Sequence, residues 1–151
     1  MANELKYTYA ASVGMETSGA SLTNTSFAAA ADSTLSSTNH SNYPLADFFL
    51  KTVGFSASIA TGSQVVNLYR QDLDVAGDTS ADATAPATSF KSIYVGSFTI
   101  PPLASNTTTY HTLIDVPISS NCVFAIENSC GQTFNAGWAL TCAPKSYIPG
   151  A

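Results

Sequence analysis

The sequence predicts a single all-β domain: an antiparallel β-sandwich, a jelly roll or a related Greek key, with long polar loops and an N-terminal arm. Three observations predict it. Apolar and polar residues alternate in segment after segment, while helical periodicity is almost absent. Glycine, proline and Ser/Thr-rich stretches separate these segments. The chain has 151 residues, a usual size for one domain, and a domain of this size buries roughly 70% of its unfolded surface without a disulfide or metal.

The first strand is expected around Leu5, Tyr7, Tyr9, Ala11 and Val13, which share one face, with Lys6, Thr8 and Ser12 on the other. That alternation reads as a half-buried strand. Residues 16–42 are Ser/Thr/Ala-rich, with Leu22, Phe27 and Leu35 as the few large apolar anchors. Ala28–Ala31 is long enough for one helical turn. The stretch reads either as an arm ordered by a neighbouring subunit or as a long loop draped over its own sandwich. Residues 1–43 are therefore taken as an N-terminal strand with an arm or long loop, part of the same domain, and residues 44–151 as the sandwich core.

After Pro44, Phe48 and Leu50 lie on one face, while Val53, Phe55, Ala57 and Ile59 lie on the other. A β-bulge at Gly54 is expected to restore a single buried face. Thr61-Gly62-Ser63 reads as a short turn, and Val65, Val66, Leu68 and Tyr69 as the returning strand of a hairpin. A second polar loop occupies residues 72–92. Strands resume at Ile93–Ile100, stopped by Pro101-Pro102, and from Thr109 to Val116, ending at Pro117. The last expected hairpin has Cys122, Phe124 and Ile126 facing Phe134, Ala136, Trp138, Leu140 and Cys142 across a three-residue loop, Ser129-Cys130-Gly131. Gly131 takes the left-handed position of that loop, and Cys130 sits at its exposed tip. In that register Cys142 lies beyond Cys122, so no bridge between them is expected. Burial of Phe55, Phe124, Phe134 and Trp138 should contribute roughly 1.5–3 kcal/mol each.

Composition narrows the function. Only 10% of residues are charged, against about 25% in an average soluble domain. Such an exterior can be packed against another surface without desolvating many ions. A merely Ser/Thr-rich or secreted protein is the blander alternative, and the assembly reading stands slightly ahead of it. The net charge is −5, and the five basic residues (Lys6, Lys51, Arg70, Lys91 and Lys145) are scattered, so no basic stripe exists to neutralise phosphates. Nucleic acid is not an expected partner. No run approaches the ~18 apolar residues of a membrane span, and the N-terminal Met1–Lys6 has no basic region followed by an apolar stretch. Synthesis in the cytoplasm and no membrane partner are the expectations. Three cysteines without CxxC spacing point to thiols, with no zinc site.

No catalytic constellation is readable. The two histidines are His40, in a polar loop, and His111, on a strand facing away from Tyr110 and Ile114. Neither has the context of a Ser-His-Asp or Cys-His arrangement, and no GxSxG, HExxH or phosphate-cradling loop occurs. Both read as surface or half-exposed histidines. Asp72, Asp74, Asp78 and Asp82 form the one acidic cluster. Loop carboxylates can hold Ca²⁺, but the spacing is not that of an EF-hand, and a solvated loop is the simpler reading. Tyr7, Tyr9, Tyr43, Tyr94 and Tyr110 are candidates for a sugar-stacking platform, although strands ordinarily use aromatics for cross-strand packing. The Asn24, Asn39 and Asn106 sequons read as chance in so Asn/Ser/Thr-rich a chain. No catalytic, cofactor-binding or metal residue is therefore assigned, and no cofactor is expected.

Several segments carry a resemblance. Asp47-Phe48-Phe49-Leu50-Lys51, Val65-Val66-Asn67-Leu68-Tyr69, Tyr94–Ile100, Phe124–Gln132 and Ala136-Gly137-Trp138 resemble small virion proteins of tailed bacteriophages. These are jelly-roll or sandwich proteins found as capsid decoration (cement) proteins or accessory head and tail components. The likeness spans roughly residues 44–142 and is one of strands and turns. It implies a non-enzymatic structural protein, located in the virion and assembled in the host cytoplasm. Its partners would be the major capsid protein or other virion proteins, with self-association as a trimer or dimer. A tail, baseplate or fibre component is the first alternative, and a carbohydrate-binding β-sandwich module the second. An enzyme with an unrecognised site ranks last.

Overall fold

A computed structural model describes residues 6–35, 42–60, 64–73, 93–119 and 121–148. Among these residues it is all-β, with two antiparallel sheets in two layers. In chain order the strands are β1 (Lys6–Tyr9), β2 (Val13–Gly19), β3 (Phe27–Ala29), β4 (Leu45–Thr52), β5 (Gln64–Asp72), β6 (Ile93–Ile100), β7 (Thr109–Pro117), β8 (Cys122–Ser129) and β9 (Trp138–Ile148). One sheet has the order β1–β9–β4–β7, with β2 also pairing β9. The other has the order β3–β8–β5–β6. The pairs β2/β9, β3/β8, β4/β7 and β5/β6 nest inside one another, as in a long antiparallel ribbon wound over itself.

The core lies between the layers. Strand alternation sends Phe48 and Leu50 inward from β4, and Trp138, Leu140 and Cys142 inward from β9. They meet Phe124 and Ile126 of β8, Val66 and Leu68 of β5, and Phe98 and Ile100 of β6. Phe48 and Phe124 touch from opposite sheets with ring centroids 4.6 Å apart. Phe55 and Phe134 close one end in an edge-on contact at 4.8 Å. Trp138 is 1% exposed, and its indole N–H donates to the Ala20 carbonyl at 2.8 Å. The indole lies against Gly19, where an added Cβ would come within 2.0 Å of the ring. Only glycine leaves room for it there.

The pairing departs from the hairpins expected from sequence. β8 and β9 do not pair with each other; they lie in different sheets. The same holds for β4 and β5, and Thr61–Ser63 lies outside the described residues. Coinciding apolar faces cannot separate a hairpin from two strands facing each other across a core, since both arrangements satisfy the alternation. Between β8 and β9 the chain crosses layers instead. Asn128, fully buried, fixes this crossing. Its Nδ2 donates to the Leu22 and Gln132 carbonyls at 2.9 and 2.7 Å, and its Oδ1 accepts from the Cys130 N–H at 3.0 Å. Gly131 has the expected left-handed φ of 73°. Cys130, however, is buried rather than exposed at a tip.

The Gly54 region also differs. β4 ends at Thr52 rather than continuing through a bulge, and Gly54 turns the chain with φ 117°. Phe55 thereby returns to the core and bridges Phe134. The bulge falls on β7, where Leu113 pairs Phe48 and Val116 pairs Ala46. The extra residue places Asp115 at φ 57°.

Residues 13–35 are woven into the domain. β2 and β3 each add a strand to a sheet, and Leu22 and Leu35 form bridges to Phe134 and Cys122. Ala28–Ala29 is strand, not the helical turn that Ala28–Ala31 is long enough to make. Two buried or engaged carboxylates tie the connection down. Glu16 accepts from the Ser18 and Ala31 N–H groups, each at 3.2 Å. Asp32 accepts from the Thr17 N–H at 2.7 Å and from its hydroxyl. Few large apolar anchors suffice because backbone and carboxylate bonds supply the remaining order.

Candidate interaction face

β1 does not bury the face that its alternation suggests. Tyr7 and Tyr9 are exposed on the outer surface of the five-stranded sheet. Tyr9 pairs Lys145 and Val13 pairs Cys142, so four steps on one strand match three on the other. The extra residue, near Ala10, turns the apolar side from solvent to core. Ala10 keeps its bond by donating its N–H to the Pro144 carbonyl at 2.8 Å.

Beneath these tyrosines lies an ionic cluster. Lys145 is 3% exposed, yet it points to the outer face of the sheet. Its Nζ lies 2.5 Å from Asp47 Oδ1 and 2.7 Å from Asp115 Oδ1. Tyr9 donates its hydroxyl to Asp47 Oδ2 at 3.1 Å, and the Asp115 N–H donates to Asp47 Oδ1 at 3.0 Å. The ammonium also sits over the Tyr7 ring, 4.8 Å from its centroid. Tyr7 packs on Tyr147 at 4.8 Å. The bulge on β7 thus delivers both a carboxylate and a backbone N–H to one site.

Electrostatics favour the charged forms of Asp47 and Lys145. Burial pushes the Asp47 carboxyl up, but Lys145, the Asp115 N–H and Tyr9 together hold it below the usual carboxylate value. Burial likewise opposes the Lys145 ammonium, and the two carboxylates outweigh it, leaving its pKa above that of an ordinary lysine. The hydrogen bond to Asp47 raises the Tyr9 hydroxyl. One cation against two carboxylates leaves the cluster with a formal charge of about −1. The Asp115 side chain is the exposed member, at 41%.

The surrounding face is apolar. Nine large apolar or aromatic side chains are exposed among the described residues, and seven belong to the five-stranded sheet. They include Phe49 on β4, Tyr110 and Ile114 on β7, and the tyrosines around Lys145. Most of the large exposed apolar side chains among the described residues thus sit on this one sheet.

The opposite outer face is built otherwise. Glu127 Oε2 accepts from the Tyr69 hydroxyl at 2.7 Å and from Asn67 Nδ2 at 2.9 Å. Asn67 Oδ1 accepts from Ser97 at 2.6 Å, and Ser97 bonds the Tyr94 hydroxyl at 2.7 Å. Burial and the bond to Glu127 raise the Tyr69 hydroxyl to about 12. Phe27, Tyr69 and Tyr94 form an aromatic row, with centroids 5.5 and 5.8 Å apart.

The remaining candidates fall as follows. His40, Asn39, Asp74, Asp78 and Asp82 lie outside the described residues. His111 points inward at the sheet edge, with Nε2 bonded to Thr109 Oγ1 at 2.7 Å. Burial lowers its pKa, opposed by a bond to the Thr99 backbone. Asp72 is held by Arg70 at 2.8 Å and by the Ser119 hydroxyl at 2.5 Å. Among the described residues no three His, Cys, Asp or Glu gather as a metal site. Tyr43 is half-buried ahead of β4. The side-chain oxygens of Asn24 and Asn106 are engaged by the Gly131 N–H and Asn135 Nδ2. All three cysteines are free and buried, and burial raises Cys130 to about 12. Such thiols are weak nucleophiles.

Sequence reasoning did not single out Lys145, Asp47 or Asp115. A signal was present: in a chain so poor in charge, a lysine within the apolar run Trp138–Ile148 requires a partner. Comparison with family models, with curated proteins and with solved structures finds no match in any of the three.

Proposed function

We propose that the chain is a non-enzymatic structural protein of a tailed-phage particle, a capsid decoration (cement) protein that binds and stabilises the head shell. The observation that carries this reading is the outer face of the five-stranded sheet, which is aromatic and apolar and has its one buried cation neutralised from within. A shell protein held by adhesion needs such a face, because covering it desolvates little charge. The two antiparallel layers and their nested strand pairs are compatible with the jelly roll or sandwich which the phage resemblance implies, and they support the same reading. The partners would be the major capsid protein or other virion proteins, and further copies of the chain.

Counting the chain in purified particles tests this. Many copies per shell is the expected result. A few copies would move the protein to the tail, baseplate or fibre, and absence from the particle would overturn the reading.

One observation favours a second reading, a carbohydrate-binding module. The aromatic row Phe27–Tyr69–Tyr94 runs beside Glu127 and Asn67, the mixture of rings and planar polar groups that sugars stack on and bond to. A glycan array with the wild-type chain and Tyr94→Ala distinguishes the two. Specific binding that the substitution removes favours the module.

A further inference from the structure

We infer that the outer face of the five-stranded sheet is covered by a second copy of the same chain, packed face to face with β4 antiparallel to its counterpart. The inference rests on the reading of this face as an adhesive surface, and it names the occupant.

The argument comes from the pattern of side chains about Phe49. On the outward side of β4, Asp47, Phe49 and Lys51 follow one another at every second residue. Asp47 stands at the ionic cluster, whose exposed member is Asp115. Lys51 stands four residues away, roughly 13 Å along the strand, and makes no ion pair among the described residues. The face therefore has a negative end and a positive end, with Phe49, 44% exposed, between them.

β7 repeats the symmetry. Tyr110 pairs Lys51, Thr112 pairs Phe49, and Ile114 lies across from Asp47 beside the bulge. Tyr110 and Ile114 are 75% and 62% exposed, on either side of Thr112. A two-fold axis lying between two such sheets, perpendicular to the strands and passing by Phe49, inverts this order. It sets Phe49 on Phe49, Tyr110 on Ile114, and Lys51 of each copy over the Asp47–Asp115 cluster of the other, whose exposed carboxylate is that of Asp115. An axis parallel to the strands would set like charge on like charge. The charge pattern selects the antiparallel arrangement, and the exposed aromatics supply its apolar centre. Aligned packing of two sheets at about 10 Å accommodates these side chains.

The test uses the full chain in sedimentation equilibrium. The wild type is expected to dimerise, more weakly as salt rises, since Lys51–Asp115 contacts are screened. Lys51→Glu places a carboxylate against Asp115 and should raise the dissociation constant at least about tenfold, a loss of ~1.4 kcal/mol. Lys51→Arg should restore dimerisation. Phe49→Cys places a thiol on the axis, and mild oxidation should link two copies; the native thiols are buried and give little background. Thr8→Cys, on β1 away from the axis, should not cross-link. A wild type that is monomeric at every concentration, or Phe49→Cys that never cross-links, overturns the inference. Such a monomer found in many copies on shells would leave the particle reading standing. A dimer absent from particles would sink that reading and leave this one.

Discussion

On the four-stranded sheet, Glu127, Asn67, Ser97, Tyr69 and Tyr94 bond to one another across the outward strands. On the five-stranded sheet, one cation and two carboxylates are sunk beneath tyrosines, and Phe49, Tyr110 and Ile114 face water. Both faces belong to the same sandwich and share the same core. The first network completes polar bonds within the chain and is mostly neutral. The second pairs its buried cation with two carboxylates, keeps a formal charge of about −1 and leaves apolar side chains exposed. The difference shows that outward polar groups can be satisfied within a sheet face either by a neutral side-chain network or by a sunken ion cluster beneath exposed apolar side chains.

Removing the cation should give the largest effect. Lys145→Met leaves Asp47 buried without its partner. A loss on the order of 3 kcal/mol is expected in urea unfolding, at the low end for a broken buried pair because Asp115 remains partly open to water. On the other face, Glu127→Gln should cost less, about 1–2 kcal/mol, since it weakens bonds without stranding an ion. Equal losses would erase the distinction between the two faces.

The pH limbs sharpen the same comparison. Asp47 titrates below its unfolded value, so its contribution is complete above about pH 4 and is lost as pH falls through the depressed value. Asp47→Asn should flatten that acid limb. Tyr69 titrates near 12. The stability it contributes is complete below its unfolded value of about 10 and is lost as pH rises towards 12. Tyr69→Phe should flatten the alkaline limb while leaving the acid limb unchanged. Unfolding midpoints measured between acid and alkaline extremes check both. His111, held below its ordinary value by burial, adds a smaller step, with stability lost as pH falls through about 6.5. The smallest expected effect is that of Phe49→Thr, within about 1 kcal/mol on folding, because the residue is exposed and threonine suits a strand.

Much of the strand inventory was legible. Ile93–Ile100, stopped by proline, and the strand ending at Pro117 stand where local alternation puts them. Partners were not legible. Phe124 and Trp138 satisfy the same apolar alternation whether their strands pair or face each other across the core, and only the whole domain decides. Tyr7 and Tyr9 look like buried residues in sequence because nothing local announces the extra residue near Ala10. The candidate face suffers the same limitation. Asp47, Asp115 and Lys145 lie on three strands, and their meeting depends on a bulge on β7. Tyr110 was visible as a candidate, but its exposure was not.

The most direct measurement is hydroxyl-radical labelling of Tyr110 and Tyr94 as protein concentration rises. Both are exposed in the single chain, at 75% and 57%, one on each sheet. Protection growing at Tyr110 while Tyr94 stays fully labelled is the predicted result. Labelling of both that is independent of concentration would contradict it.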